Sequence, residues 1–111
     1  MTSVDILARE PRVLSHAQRE CYFEQGYLLL EALAEALTEA GQPRAAIARW
    51  HRLVDLDPDR EGWHRALMWA YARAGERGLG LRQYQACRTL LRERLGVDPS
   101  PETQALYRTL L

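Results

Sequence analysis

Lysine is absent from this chain. All fifteen basic residues among its 111 are arginine, and fifteen acidic residues balance them to a formal net charge of zero. Without a cationic excess there is little to draw in a phosphate backbone, so no direct nucleic-acid contact is expected of this segment. The arginine-only usage reads as coding bias, not as recognition. Cysteine is scarce too: Cys21 and Cys87 stand far apart with no C-x-x-C pair, a pattern that suggests neither a zinc knuckle nor a disulfide scaffold and fits a reducing compartment. Long apolar runs are also missing, because Glu, Arg or Gln interrupts every stretch well before the length of a signal-peptide core or a spanning helix. A cytoplasmic protein with no membrane contact is the expectation.

What is present is ordinary in amount and unusual in order. The 47% hydrophobic and 27% charged residues suit a single soluble domain, one long enough to bury roughly two-thirds of its unfolded surface. Between Tyr27 and Arg94 the chain repeats itself with a period of 34: Leu33 returns as Leu67, Leu37 as Tyr71, Gly41 as Gly75, Ala46 as Gly80, Trp50 as Tyr84 and Leu53 as Cys87. That period with that pattern is the tetratricopeptide signature. Such a unit cannot bury its apolar face alone and must stack on a neighbour, which points towards interaction surfaces and away from catalytic clefts.

The helices follow from spacing and punctuation. Gln18 to Ala40 carries Gly26, Leu30, Leu33, Ala34 and Leu37 at helical intervals, and Gly41 supplies the left-handed stop. Gln42-Pro43 restarts the chain with proline in a first helical turn, followed by a stripe of Ala46, Ile47, Trp50, Leu53 and Val54. Asp57-Pro58 repeats this punctuation and predicts a third helix starting there, with Asp57 as N-cap and Trp63, Ala66, Leu67, Ala70, Tyr71 and Ala74 as its face. Leu81, Tyr84, Cys87, Leu91 and Leu95 form a fourth stripe ended by Gly96; because glycine weakens a helix interior, this helix is expected to start only after Gly80. Ala34 and Ala46, then Met68 and Gly80, fall where the two helices of each hairpin should cross. Ser100-Pro101-Glu102 opens a short helix whose Ala105, Leu106, Leu110 and Leu111 can cover the end of the stack. The predicted architecture is all-α: a tetratricopeptide-like, right-handed stack of two antiparallel hairpins plus a C-terminal capping helix, residues 18–111, behind a flexible lead or linker remnant over 1–17.

Three runs carry a more specific likeness: Glu61 to Gly75, then Gln83 to Arg88, then Leu95-Gly-Val-Asp-Pro-Ser-Pro-Glu-Thr103 with Leu106-Tyr107. Together they resemble the bacterial transcriptional activator domain, the tetratricopeptide-like module found behind a winged-helix DNA-binding domain in Streptomyces antibiotic regulatory proteins and related activators. The exit loop and proline-started cap from Leu95 to Glu102 are the most specific part, since an ordinary tetratricopeptide array has no need of them. No winged helix precedes the repeats in this chain, so DNA binding does not carry over. The resemblance implies a regulatory or oligomerising domain that acts through protein contacts, by self-association or on a transcription component. A free-standing tetratricopeptide adaptor that captures a peptide segment is the competing reading.

If the hairpins stack as in tetratricopeptide arrays, their first helices line a concave face. That places Glu31, Glu35 and Glu39 beside Arg65, Trp69 and Arg73, with Trp69 about 100° off the core stripe and composed like an interface hot spot. Glu31, Glu35, Arg65, Trp69 and Arg73 are the candidate protein-binding residues. The bland alternative packs Trp69 on its neighbour and leaves the charges as solvated pairs of little energy. Charge is uneven as well: Gln18 to Ala40 holds five Glu against Arg19, whereas Glu76 to Leu95 holds five Arg against two Glu, which suits either head-to-tail stacking or plain solvated faces. No two of His16, His51, His64, Cys21 and Cys87 have the three- or four-residue spacing that converges metal ligands. Gly75 to Gly80 has no preceding strand or following lysine to make it a phosphate loop. No carboxylate pair has an adjacent base. Neither cofactor, metal nor catalytic residue is expected, and the chain is read as a non-enzyme.

Overall fold

The computed structural model describes residues 16–111, with side chains from Gly26 onward. The expected lead therefore lies outside the described residues as far as Ser15. Five helices follow: α1 (His16–Glu39), α2 (Pro43–Leu56), α3 (Glu61–Arg73), α4 (Arg77–Leu95) and α5 (Pro101–Leu110). Among the described residues all regular structure is helical, and none of these helices is long and apolar enough to cross a membrane.

Packing follows chain order. α1 lies on α2, α2 on α3 and α3 on α4, while α5 rests against both α3 and α4. One core cluster joins the first three helices through Ala34, Trp50, Leu53, Trp63, Leu67 and Ala70, and a smaller one joins α3, α4 and α5 through Met68, Tyr84 and Leu110. This neighbour-to-neighbour burial is what a repeat stack requires. The repeat-related pairs Trp50 and Tyr84, and Leu53 and Cys87, are buried alike. The turns repeat as well. Gly41, Gly75 and Gly96 each adopt a positive φ (73°, 80° and 68°), and the amide beyond each reaches back five or six residues to the helix: Gln42 to the Leu37 carbonyl at 3.0 Å, Glu76 to that of Tyr71 at 2.8 Å, Val97 to that of Leu91 at 3.4 Å. A side chain at those glycines would strain the left-handed geometry that closes the helix.

Two local expectations are corrected. α3 does not start at Pro58. The chain turns through Asp57 to Arg60, the Asp57 carboxylate is taken by Arg60 Nε at 3.1 Å, and the helix starts at Glu61 with no side-chain cap. Local pairing with Arg60 removed the acceptor that would have capped the first turn. Nor does α4 wait until after Gly80: it starts at Arg77 and contains Gly80, which is buried. A β-carbon there would meet the Met68 carbonyl oxygen at 3.0 Å and Leu110 Cδ1 at 3.3 Å. Tertiary packing outweighs the helix cost of about 1 kcal/mol because only glycine lets α4 approach the α3 backbone and α5 this closely. In the first hairpin the crossing is made by Ala34 and Ala46, both fully buried as expected.

The two glycines of α4's first turn should therefore respond oppositely. A β-carbon added at Gly78 would meet nothing within 4 Å, so Gly78→Ala is expected to raise stability by about 0.5–1 kcal/mol. Gly80→Val is expected to lower it by about 1–3 kcal/mol through overpacking. Urea unfolding followed by circular dichroism checks both signs.

Candidate functional site

α3 is the helix on which the candidate surface is built. Its buried side carries Trp63, Leu67 and Ala70 towards α1 and α2, and His64 and Met68 towards α4 and α5. At intervals of four, three and four, the remaining stripe runs Gly62, Ala66, Trp69 and Arg73. Trp69 is 42% exposed, a large apolar side chain held at the surface. At the N-terminal end of this stripe lies a shallow hollow of about 400 Å³ bordered by Glu31 and Glu35 of α1, Trp50 of α2, and Arg60, Gly62 and Ala66. The Arg60 guanidinium stands over the Trp63 ring at 4.6 Å, and Tyr27 meets Trp63 edge-on with centroids 5.7 Å apart. The hollow thus has an acidic wall, an aromatic-backed cation and a floor of small residues. That makeup suits a peptide or protein segment better than a compact metabolite.

The five candidate residues are only partly brought together. Glu31 and Glu35 share the hollow, whereas Arg73 borders a second one with Gln42, Pro43 and Arg44 at the opposite end of α3. Trp69 lies between them along the helix. Arg65 turns away: it stands 3.5 Å from Glu61 and 3.5 Å from Glu102, and donates to Thr103 Oγ1 at 3.1 Å. Among the described residues no ion pair joins Glu31, Glu35 or Glu39 to Arg65 or Arg73. Nor do any three His, Cys, Asp or Glu side chains gather closely enough to hold a metal ion among those residues.

The exit from α4 completes the picture. Its loop runs to Ser100, whose hydroxyl accepts from the Thr103 amide and caps α5 behind Pro101. The family model for the bacterial transcriptional activator domain matches residues 6–111, the repeats and this capped exit alike. The chain belongs to the bacterial transcriptional activator domain family.

Relatives of this activator domain include the Mycobacterium tuberculosis transcriptional regulatory protein MoaR1, 33% identical over 88 residues, and the Streptomyces coelicolor regulatory protein AfsR, 32% identical over 107 residues. These matches cover 79% and 96% of this chain, but only 28% and 11% of the relatives. Among solved structures, Mycobacterium tuberculosis EmbR in complex with a low-affinity phosphopeptide superposes with a TM-score of 0.72 at 31% identity, over 82% of this chain and 24% of that one. The activator domain thus spans about a quarter or less of the proteins it resembles.

Sequence reasoning missed the polar cluster that fixes α5 on α3. Glu61 accepts from the Ser100 amide at 2.9 Å, from the Ser100 hydroxyl at 2.6 Å and, through a short contact, from the Thr103 hydroxyl. A carboxylate at a helix N-terminus is favoured by the dipole as well. Burial raises the Glu61 carboxyl, but the hydrogen bonds from Ser100 and Thr103 and the charge of Arg65 outweigh it, and the pKa is lowered from 4.5. The partners are some forty residues apart in the chain, and no local signal joins them. His64 stands alone in the sequence, yet it ties three elements. Its Nε2 donates to the Pro58 carbonyl at 2.8 Å, because a carbonyl only accepts, and its Nδ1 accepts from the Gln83 amide nitrogen at 2.8 Å. Burial pushes its pKa below 6.5, with Pro58 and Glu61 opposing. Burial likewise pushes the Cys87 thiol up to about 11, so it stays protonated.

Two outcomes are expected of the activator domain. Glu61→Ala, which leaves the Ser100 and Thr103 donors unpaired, should cost about 1–3 kcal/mol and speed amide exchange in α5 ahead of α1 and α2; equal acceleration in all helices would deny Glu61 this local role. For His64, a depressed folded pKa means that the unfolded chain binds the proton more readily. Its contribution is therefore complete above pH 6.5 and lost as pH falls through the folded value. Melting temperature should drop between pH 7 and pH 5, and His64→Gln should flatten that part of the profile.

Proposed function

We propose that this chain is the protein-interaction, regulatory and oligomerising domain of a cytoplasmic transcription activator, and that the α1–α3 face docks its protein partner while another segment or subunit reads DNA. The observation that carries this reading is the exposed Trp69 in a stripe that starts at the Glu31, Glu35 and Arg60 hollow and ends at Arg73. Aromatic side chains held at the surface beside charged groups are characteristic of interface hot spots, whose loss typically costs about 2 kcal/mol or more of binding. Glu31 and Glu35 would receive basic groups, and Arg73 an acidic one. Arg65 contributes through α5, by holding the end of the stack in place. That the solved relative carries a phosphopeptide supports a peptide or protein partner here. Membership of a regulator family, with relatives several times this length, favours the activator domain over a free-standing adaptor. No residue supplies catalytic chemistry in this reading.

A one-hybrid assay tests it. Fused to an unrelated DNA-binding domain in bacteria, the chain is expected to raise reporter transcription several-fold over the DNA-binding domain alone. Trp69→Ala should reduce that gain about tenfold or more while helical content and melting temperature hold. A folded fusion that activates nothing, or a Trp69→Ala chain that unfolds, would count against the docking face.

A further inference from the structure

The groove between α1 and α3 differs in charge at its two ends. α1 turns Tyr27, Leu30, Ala34 and Leu37 to the core, and this stripe is flanked on one side by the exposed Leu29 and Leu33 and on the other by Glu31 and Glu35. The two carboxylates stand one helical turn apart over the end of the groove where Gly62 and Ala66 form the floor. Among the described residues neither has an ion-pair partner. Arg60, the cation in that hollow, is already committed, with its Nε 3.1 Å from the Asp57 carboxylate and its guanidinium over the Trp63 ring at 4.6 Å. This end is acidic on balance. The other end is basic: Arg73, in the last turn of α3, borders a hollow of about 510 Å³ with Gln42, Pro43 and Arg44 at the start of α2. Among the described residues no carboxylate lines this hollow, and Glu39 at the end of α1 pairs with neither arginine. Arg44 donates to the Ala74 carbonyl at 3.4 Å. Trp69 lies between the two ends, and the stripe from Gly62 to Arg73 spans about 16 Å at 1.5 Å per residue, about three turns of helix.

We propose that the partner presents an amphipathic helix of about three turns, acidic in its first turn, apolar at its centre and basic in its last, which lies in this groove antiparallel to α3. This rests on the docking-face reading and adds to it the partner's chemistry and direction. Charge sets the direction. A helix is most stable with Asp or Glu in its first turn and Arg or Lys in its last, so such a guest matches the groove one way only, with its basic end at Glu31 and Glu35 and its acidic end at Arg73 and Arg44. Laid parallel to α3, the same guest would set like charges together at both ends. The helix dipoles agree with the charges. α1 and α3 each pack on α2 across a short loop, which makes both antiparallel to α2 and aligned with each other. A guest antiparallel to the pair has each of its termini beside termini of opposite sign. At the centre, the small Ala66 next to the indole of Trp69 leaves room for a large apolar side chain of the guest, in the manner of a helix docked in a groove.

Selection from a displayed library of helix-favouring peptides about four turns long, with the 111-residue chain as bait, tests this. Winners are expected to carry Asp or Glu in the first turn and Arg or Lys in the last, and to bind the Trp69→Ala chain about tenfold or more weakly. Glu31→Arg combined with Glu35→Arg should weaken the same peptides by about tenfold, and the difference should shrink at high salt. A cysteine appended after a winner's last turn should oxidise in air to a disulfide with Gly62→Cys and not with Ala45→Cys, both in a Cys21→Ser background. Winners that depend on Trp69 but show no charge bias, the opposite bias, an extended proline-rich sequence or trapping at Ala45→Cys leave the docking face standing and overturn this inference. Binding that appears only after residues 1–15 are removed makes the chain's own lead the occupant and overturns it as well. If no winner depends on Trp69, the docking face itself fails, and this inference fails with it.

Discussion

No helix in this chain can satisfy its apolar surface with a single partner, and the whole arrangement follows from that. α2 is covered on one side by α1 and on the other by α3; α3 is covered by α2 on one side and by α4 and α5 on the other. Burial thus passes along the stack from helix to helix, and each repeat is held by the next instead of by one central core. At the C-terminal end the series stops because α5 brings Leu106, Tyr107 and Leu110 to cover what α3 and α4 would leave open, with the Tyr107 ring stacked on Tyr84 at 3.9 Å. At the other end of the described residues, Leu29 and Leu33 of α1 are exposed.

The two places where the stack is most tightly specified both lie on α3. At one, its backbone at Met68 lies so near α4 that only a glycine fits opposite. At the other, Glu61 and Arg65 hold the first turn of α5 through Ser100, Thr103 and Glu102. These contacts fix where the capping helix sits, and the buried His64 link from the Pro58 carbonyl to Gln83 fixes the entry into α3. Held at its first turns and at its middle, α3 carries its outer stripe of Gly62, Ala66, Trp69 and Arg73 on a helix fixed by packing. A rigid helix face loses little conformational entropy on docking, which is the advantage this architecture offers a regulatory domain.

Most of the fold is legible in the sequence because its signals are local. The glycines at 41, 75 and 96, the proline at 43, the Ser100-Pro101 start and the 34-residue recurrence identify helices, stops and pairing with no knowledge of contacts. Two helix starts depart from the local signal for opposite reasons. Asp57 has the chemistry of an N-cap but commits its carboxylate to Arg60, and Gly80 has the propensity of a helix breaker but is required by a crossing. The candidate surface is legible in part: the stripe position of Trp69 follows from helical phase alone, and it is exposed. The partners of Arg65 are not, since Glu102 and Thr103 sit on a helix well beyond it along the chain.

Taken by itself, the sequence determined the five helices of the described residues, the repeat, the capped exit and the family, all of which depend on spacing along one stretch of chain. Tertiary structure alone decided which carboxylate holds α5, which histidine nitrogen carries its proton, and which of the two apolar stripes of α1 is buried. The physical reason is that periodicity reports how a helix can be amphipathic, whereas burial depends on which neighbour lies against it. Leu33 and Leu67 are the same residue at the same repeat position, yet one is 42% exposed and the other fully buried, because among the described residues only the second has a hairpin before it in the stack.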